Sequence, residues 1–148
     1  MISHNSFLNI AQEIAETSNC VSLKVGCVIV KDQRIISTGY NGTPAGYINC
    51  GDLFSERCDA HRLWSINHEI HAEMNAIIFA AKCGIPIDAA DLYTTISPCN
   101  NCLKHMKQSG IKNVFYRDKY YRMSDEEHDK NKFFCDDLGL GYFHIKNA

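Results

Sequence analysis

The sequence predicts an α/β fold, a mixed five-stranded sheet covered by helices on both faces. Three observations carry this expectation. The runs "VGCVIV" and "RIISTGY", at 25–30 and 34–40, are rich in β-branched residues, and "KDQ" joins them as a hairpin. Further strand-like runs then alternate with helical ones, giving the order α-β-β-α-β-α-β-α-β. Finally, 148 residues with no repeat, low-complexity segment or linker point to one domain, 1–148, around one core.

In chain order, the first helix spans 3–17, where Phe7, Ile10, Ala11 and Ile14 recur at helical spacing and Ser3 or Asn5 is the N-cap. After the hairpin, "NGTPAGYINCGD" at 41–52 reads as loop, because Asn-Gly, Thr-Pro and further glycines punctuate it. A short helix or turn occupies 58–66. An Ala-rich helix over 71–82 follows, ending at Gly84 and blocked by Pro86. A strand at 90–96 leads through Ser97-Pro98 into a helix from Cys99 to Ser109, stopped by Gly110. The strand 112–117, the helix 124–140 opened by Ser124 and the acids at 125–127, and the strand 141–145 complete the chain.

Composition narrows the function. The chain is 45% hydrophobic and 22% charged, ordinary for a soluble domain. No run approaches the ~18 apolar residues of a membrane span. The N-terminus lacks the basic flank and apolar block of a signal peptide, so a cytoplasmic home, in a bacterial cell or a phage-infected host, is expected. Net charge is −2 and no basic run exceeds two residues, which disfavours nucleic acid as a partner and favours a small molecule. Eight cysteines in a reducing compartment imply metal ligation, catalysis or burial rather than disulfides.

The chemistry concentrates in "NHEIHAEMNAIIFAAKCG", at 67–84, whose apolar tail suits a core while its start carries His68, Glu69, His71 and Glu73. Residues two apart on a regular helix diverge by ~200°, so His71 and Glu73 share no mid-helix face. At a helix start both can reach a site beyond its end. Downstream, "SPCNNC" sets Cys99 and Cys102 three apart on a helical first turn, where N–H groups and the helix dipole favour thiolates. Alone, that pair reads equally as a redox couple, half a structural zinc site or two buried thiols. Joined to His71-Ala72-Glu73, 28 residues upstream and across one strand, it forms the H-x-E…P-C-x-x-C signature of the zinc-dependent nucleobase deaminases. In that pattern His71, Cys99 and Cys102 are zinc ligands, and the fourth position stays open for water. Glu73 is the proton shuttle.

The match extends beyond the motif. "KVGCVIVKDQRIISTGYNGTPAG", "EIHAEMNAIIFAAKCG" and "LYTTISPCNNCLKHMKQSGIKNVFY" resemble the deoxycytidylate deaminases, particularly the phage and bacterial form, over roughly 5–120. The resemblance implies a three-layer α/β/α cytidine-deaminase-like fold and conversion of dCMP to dUMP, which supplies thymidylate synthesis. It further implies a homohexamer activated by dCTP and inhibited by dTTP, with Mg2+ accompanying the triphosphate. Carried onto this chain, Asn41, Gly42 and Thr43 become nucleotide contacts and Lys24 a phosphate partner, while Tyr120 and Arg122 close over the phosphate. The first helix, the "GYNG" loop and the helix bearing Phe79 and Lys82 become subunit and effector contacts.

Cys20, Cys50, His61 and Glu69 have no tight spacing, and nothing in the residues alone would group them. The resemblance implies that they hold a second, structural zinc, a ligand set that zinc accepts. Only ten residues separate Cys50 from His61, so an inserted lobe that larger relatives carry there is absent. His68, His105, His128 and His144 lack partners at ligand spacing. Cys27, Cys83 and Cys135 read as packing residues, and Cys58 as a rival ligand of the second cluster. Two other functions share parts of this pattern: a zinc deaminase acting on tRNA adenosine, cytosine or guanine, and a non-catalytic zinc-stabilised interaction module. The absence of a basic tail and the presence of "GYNGTP" weigh against the first, and Glu73 against the second.

Overall fold

The computed structural model describes residues 1–146. Helix α1 (His4–Ala15) begins at Ser3, whose hydroxyl accepts from the Ser6 N–H. Strands β1 (Gly26–Lys31) and β2 (Arg34–Tyr40) form the hairpin, turning at Asp32 and Gln33 with φ of 52° and 64°. Two consecutive positive φ values match the twist of the flanking strands. The segment read as loop contains a four-residue helix, α2 (Cys50–Leu53), too short to show a hydrophobic period. Helix α3 (Asp59–His68) runs two residues beyond the expected turn.

Helix α4 (Ala72–Cys83) starts one residue later than expected, because His71 is its N-cap. It ends at Gly84 in the left-handed conformation, φ 68°. Strand β3 (Asp91–Ile96), helix α5 (Asn100–Gln108), strand β4 (Asn113–Asp118), helix α6 (Asp125–Leu138) and strand β5 (Gly141–His144) follow. Cys99 is the N-cap of α5, and Ser124 caps α6 by accepting from the Glu127 N–H.

The strands lie in the order β2-β1-β3-β4-β5. Pairing is antiparallel from β2 through β1 to β3 and parallel from β3 through β4 to β5, so the sheet is mixed. Side chains alternate across it as the strand period demands. Val28, Val30, Tyr93 and Phe115 pack with Phe7, Leu8 and Ala11 of α1. Cys27, Ile29, Leu92, Val114 and Tyr142 face the opposite way, toward Ala72, Ala76 and Ala80 of α4, Leu103 and Met106 of α5, and Cys135 of α6. Among the described residues no helix is long and apolar enough to cross a membrane.

Two glycines set how closely helices approach the sheet. A Cβ at Gly26 would collide with the Ala11 carbonyl of α1, and one at Gly39 with the Ala72 carbonyl and, at 2.6 Å, the Ala76 nitrogen of α4. The first turn of α4 therefore lies directly on β2, and Ser37 donates to the Ala76 carbonyl beside it at 2.7 Å. This contact fixes the depth and pitch at which α4 presents its N-terminus. Gly39→Ala is expected to cost about 1–3 kcal/mol, as overpacking against backbone does. Urea unfolding at matched metal content measures that loss.

Candidate active site and metal centres

Glu69 is the C-cap of α3 and His71 the N-cap of α4, both in extended conformation. Between them Ile70 forms an antiparallel bridge with Gly42, its N–H donating to Gly42 O at 2.7 Å and its carbonyl accepting from Gly42 N at 3.1 Å. Alternate residues of an extended segment share a side. Glu69 and His71 thus both face a cavity of about 280 Å³ that Glu73, Cys99, Pro98, Cys20 and His61 also line. That volume lies near the lower end of small-molecule pockets, roughly 300–1,000 Å³.

The His71 ring nitrogen Nδ1 lies 3.3 Å from Cys102 Sγ and 3.6 Å from Cys99 Sγ. Tetrahedral bonds of zinc length separate a nitrogen and a sulfur ligand by roughly 3.5 Å, so the three donors fit that metal. The Cys99 thiol is pushed down, first by its hydrogen bond with Cys102 and then by His71, while the shared proton and burial push Cys102 up. His71 is raised chiefly by its bond to Cys99. The α5 N-terminus thus already favours the thiolate that a metal needs.

Glu73 sits beside this triad without joining it. Its side chain is buried, and Thr94 Oγ1 of β3 donates to its Oε1 at 2.9 Å. Burial raises its pKa, while His71 and the Thr94 bond oppose the shift.

A second cluster joins three parts of the chain: Cys20 after α1, Cys50 at the start of α2, and His61 and Glu69 toward the two ends of α3. Ligand atoms of Cys20, Cys50, His61 and Glu69 all lie within 4.8 Å of one another, with Cys20 Sγ 3.8 Å from His61 Nε2. Cys20, Cys50 and His61 are buried, and burial pushes the Cys50 thiol up to about 11. Ser65 donates to Glu69 and the Val21 N–H to Cys50, orienting both side chains. Cys58 is the exposed N-cap of α3, where its sulfur accepts from the His61 N–H, and it stands outside the cluster.

The cytidine and deoxycytidylate deaminase zinc-binding region matches residues 1–118. The chain belongs to the cytidine and deoxycytidylate deaminase family. The deoxycytidylate deaminase of Enterobacteria phage T4 is 40% identical over 95% of this chain and 89% of its own. That alignment runs over 179 positions, more than this chain has residues, so the T4 protein carries inserted segments. Its phage T2 counterpart is 39% identical over 95% of this chain and 91% of its own. Among solved structures, the dCMP deaminase of cyanophage S-TIM5 in complex with dCMP and dUMP superposes with a TM-score of 0.78, at 31% identity and 95% coverage of both chains.

Within this deaminase fold, the remaining residues singled out in the sequence divide by location. Tyr120 and Arg122 line the cavity that holds Glu73. Asn41 also lines it, but its amide is committed to backbone: Oδ1 accepts from the Val25 N–H and Nδ2 donates to Leu23 O, both at 2.8 Å. Each end keeps one free hydrogen-bonding position. Gly42 and Thr43 line a separate cavity of about 400 Å³, bordered by Pro44, Tyr47, Cys50 and Glu69. Lys24 is exposed outside both cavities, as are Phe79 and Lys82 on the outer side of α4. Cys83, expected to pack, is exposed because it falls at the fraying end of α4, whereas Cys27 and Cys135 are buried as expected.

Sequence reasoning missed Arg57 and Arg62, which join Arg122 at the rim of the active-site cavity. They belong to no motif. They stand among Asp52, Glu56 and Asp59 in a mixed-charge stretch, so nothing local marked them out. Thr94 was also missed, since a threonine in a strand is usually there for its shape.

Proposed function

We propose that the protein hydrolyses dCMP to dUMP and ammonia, with His71, Cys99 and Cys102 holding a catalytic zinc. The observation that carries this reading is Glu73, a buried carboxylate placed against a three-donor site yet contributing no ligand to it. A structural zinc site closes with four protein donors and needs no such acid. When bound, zinc supplies a Lewis acid that makes water nucleophilic near neutral pH. The proton steps belong to Glu73. It accepts a proton from the attacking water and delivers it to N3 of the cytosine ring. It then takes the second proton from the hydroxyl now on C4 and passes it to the departing amino group, so that a carbonyl remains, ammonia leaves and Glu73 returns to its starting carboxylate. Thr94 holds Oε1 from the sheet side, leaving the other oxygen to face the substrate.

The rim of Arg57, Arg62 and Arg122 supports a 5′-monophosphate on the substrate, since guanidinium groups match phosphate geometry. Tyr120 would close the same side. Asn41 would then meet the sugar through its one free donor and acceptor. Relatives among tRNA adenosine deaminases, at 18% identity, share the fold alone.

Cys20, Cys50, His61 and Glu69 would hold a second, structural zinc closed by four protein ligands. Regulation by dCTP and dTTP with Mg2+ would use the cavity beside Gly42 and Thr43. Phe79 and Ile78, both about half exposed on α4, offer apolar surface for self-association into a hexamer, with Lys82 beside them to meet a triphosphate.

Glu73→Gln keeps the ligand set and fold and should lose about 10²–10⁴-fold in kcat on dCMP. Ammonia release together with zinc content checks this, and near-normal turnover would contradict the role. Metal analysis of purified protein should find two zinc ions per chain. Cys50→Ser should bring the count to one, and Cys99→Ser should empty only the other site. One zinc per chain in the unsubstituted protein would rule out the second centre.

A further inference from the structure

At the mouth of the active-site cavity, one exposed phenol connects two of the three rim arginines. The Tyr121 hydroxyl accepts from Arg57 Nη1 at 2.7 Å and from Arg122 Nε at 2.9 Å. Both guanidinium carbons also lie over its ring, 5.4 and 5.5 Å from the centroid. Tyr121 itself does not line the cavity, whereas Arg57, Arg62 and Arg122 do. Among the described residues no ion pair engages any of these arginines; the Asp59 charge acts on Arg122 without pairing with it. Three cations therefore share a rim with no acid paired to any of them, and like charges repel one another.

The turn that carries Tyr121 is tied down. The Tyr120 N–H donates to Ser97 Oγ at 2.8 Å, next to the Pro98-Cys99 start of α5, and the Met123 N–H donates to Tyr120 O at 3.0 Å. The phenol has thus a fixed base, and the two long arginine side chains have a fixed phenol. Arg57 comes from the segment between α2 and α3, and Arg122 from the segment between β4 and α6, so Tyr121 links elements that share no other side-chain hydrogen bond at the rim.

We propose that Tyr121 is a positioning residue for substrate selection: by holding Arg57 and Arg122 in one geometry, it prepares a dianion site that favours nucleoside 5′-monophosphates over nucleosides. The cation–π contacts and the two hydrogen bonds supply the attraction that keeps the guanidinium groups together before phosphate arrives. The hydrogen bond from Arg122 lowers the Tyr121 pKa, as expected for a phenol oxygen that serves as the shared acceptor. The inference rests on the reading that the substrate is a nucleotide bound through the arginine rim.

The test uses the zinc-loaded protein with dCMP as substrate and two competitive inhibitors, dUMP and deoxyuridine. Tyr121→Ala should raise KM for dCMP and Ki for dUMP about tenfold, the scale of a hydrogen bond to a charged group. Tyr121→Phe keeps the ring and should fall between, at about threefold. The Ki of deoxyuridine should move by less than about twofold, as should the kcat for dCMP. In an Arg57→Ala/Arg122→Ala background, Tyr121→Ala should change KM by less than about twofold, because its two clients are gone. An equal rise for dUMP and deoxyuridine, a loss in kcat instead of KM, or a full tenfold effect in the doubly substituted background would overturn the inference. Unsubstituted protein that binds dUMP no better than deoxyuridine would overturn the nucleotide reading itself.

Discussion

The two hydrogen bonds between Gly42 and Ile70 are the constraint on which the chemistry rests. They are the only ladder-like contact outside the named strands among the described residues, and they stretch the backbone between α3 and α4 into an extended link. Extension puts Glu69 and His71 on one side, and the start of α4 at Ala72 then places Glu73 on the helix's first turn. Three ionisable side chains at a spacing of two could not converge this way on a continuous helix. The break between α3 and α4 is therefore what allows both metal-ligand clusters to hang from one short stretch of backbone. Gly39 complements it, because the close docking of α4 on β2 sets where that stretch lies over the sheet.

Burial assigns the chemical roles around that link. The sulfur and imidazole donors meet at two helix starts, where N–H groups and the helix dipole favour anions. Glu73 is almost wholly buried at the cavity wall, and burial raises its pKa, the direction that makes an acid useful as a proton carrier near neutrality. The rim arginines Arg57, Arg62 and Arg122 are exposed, two on connecting segments and Arg62 on α3, where guanidinium groups keep their hydration until a ligand displaces it. The metal-donor clusters and the rim arginines thus come largely from different parts of the fold.

Much of this was legible in the residues because the signals were local. The β-branched run "VGCVIV" reads as a strand, and in it Cys27 and Ile29 face the α4 side while Val28 and Val30 face α1. Ser124 followed by three acids marks a helix start that the structure places there. The grouping of His71, Cys99 and Cys102 was legible because its spacing is itself chemical. The second cluster was not, since Cys20, Cys50 and the α3 pair His61 and Glu69 come from three parts of the chain and meet only through tertiary packing; family resemblance alone grouped them. Helix α2 was missed because four residues carry no period, and Arg57 because its partner Tyr121 is 64 positions away. Asn41 shows a subtler gap: a residue read as a ligand contact first serves to pin Leu23 and Val25 beside the cavity.

If the link at Ile70 is what holds the site, its amides must behave as core amides despite lying in loops. Hydrogen exchange on the metal-loaded protein reads this directly at Gly42 and Ile70. The account predicts protection at both positions comparable to the paired amides of β1 and β3. Exchange there at the rate of the exposed turn around Gly46 would contradict it, because the clusters would then hang from a backbone with no fixed shape.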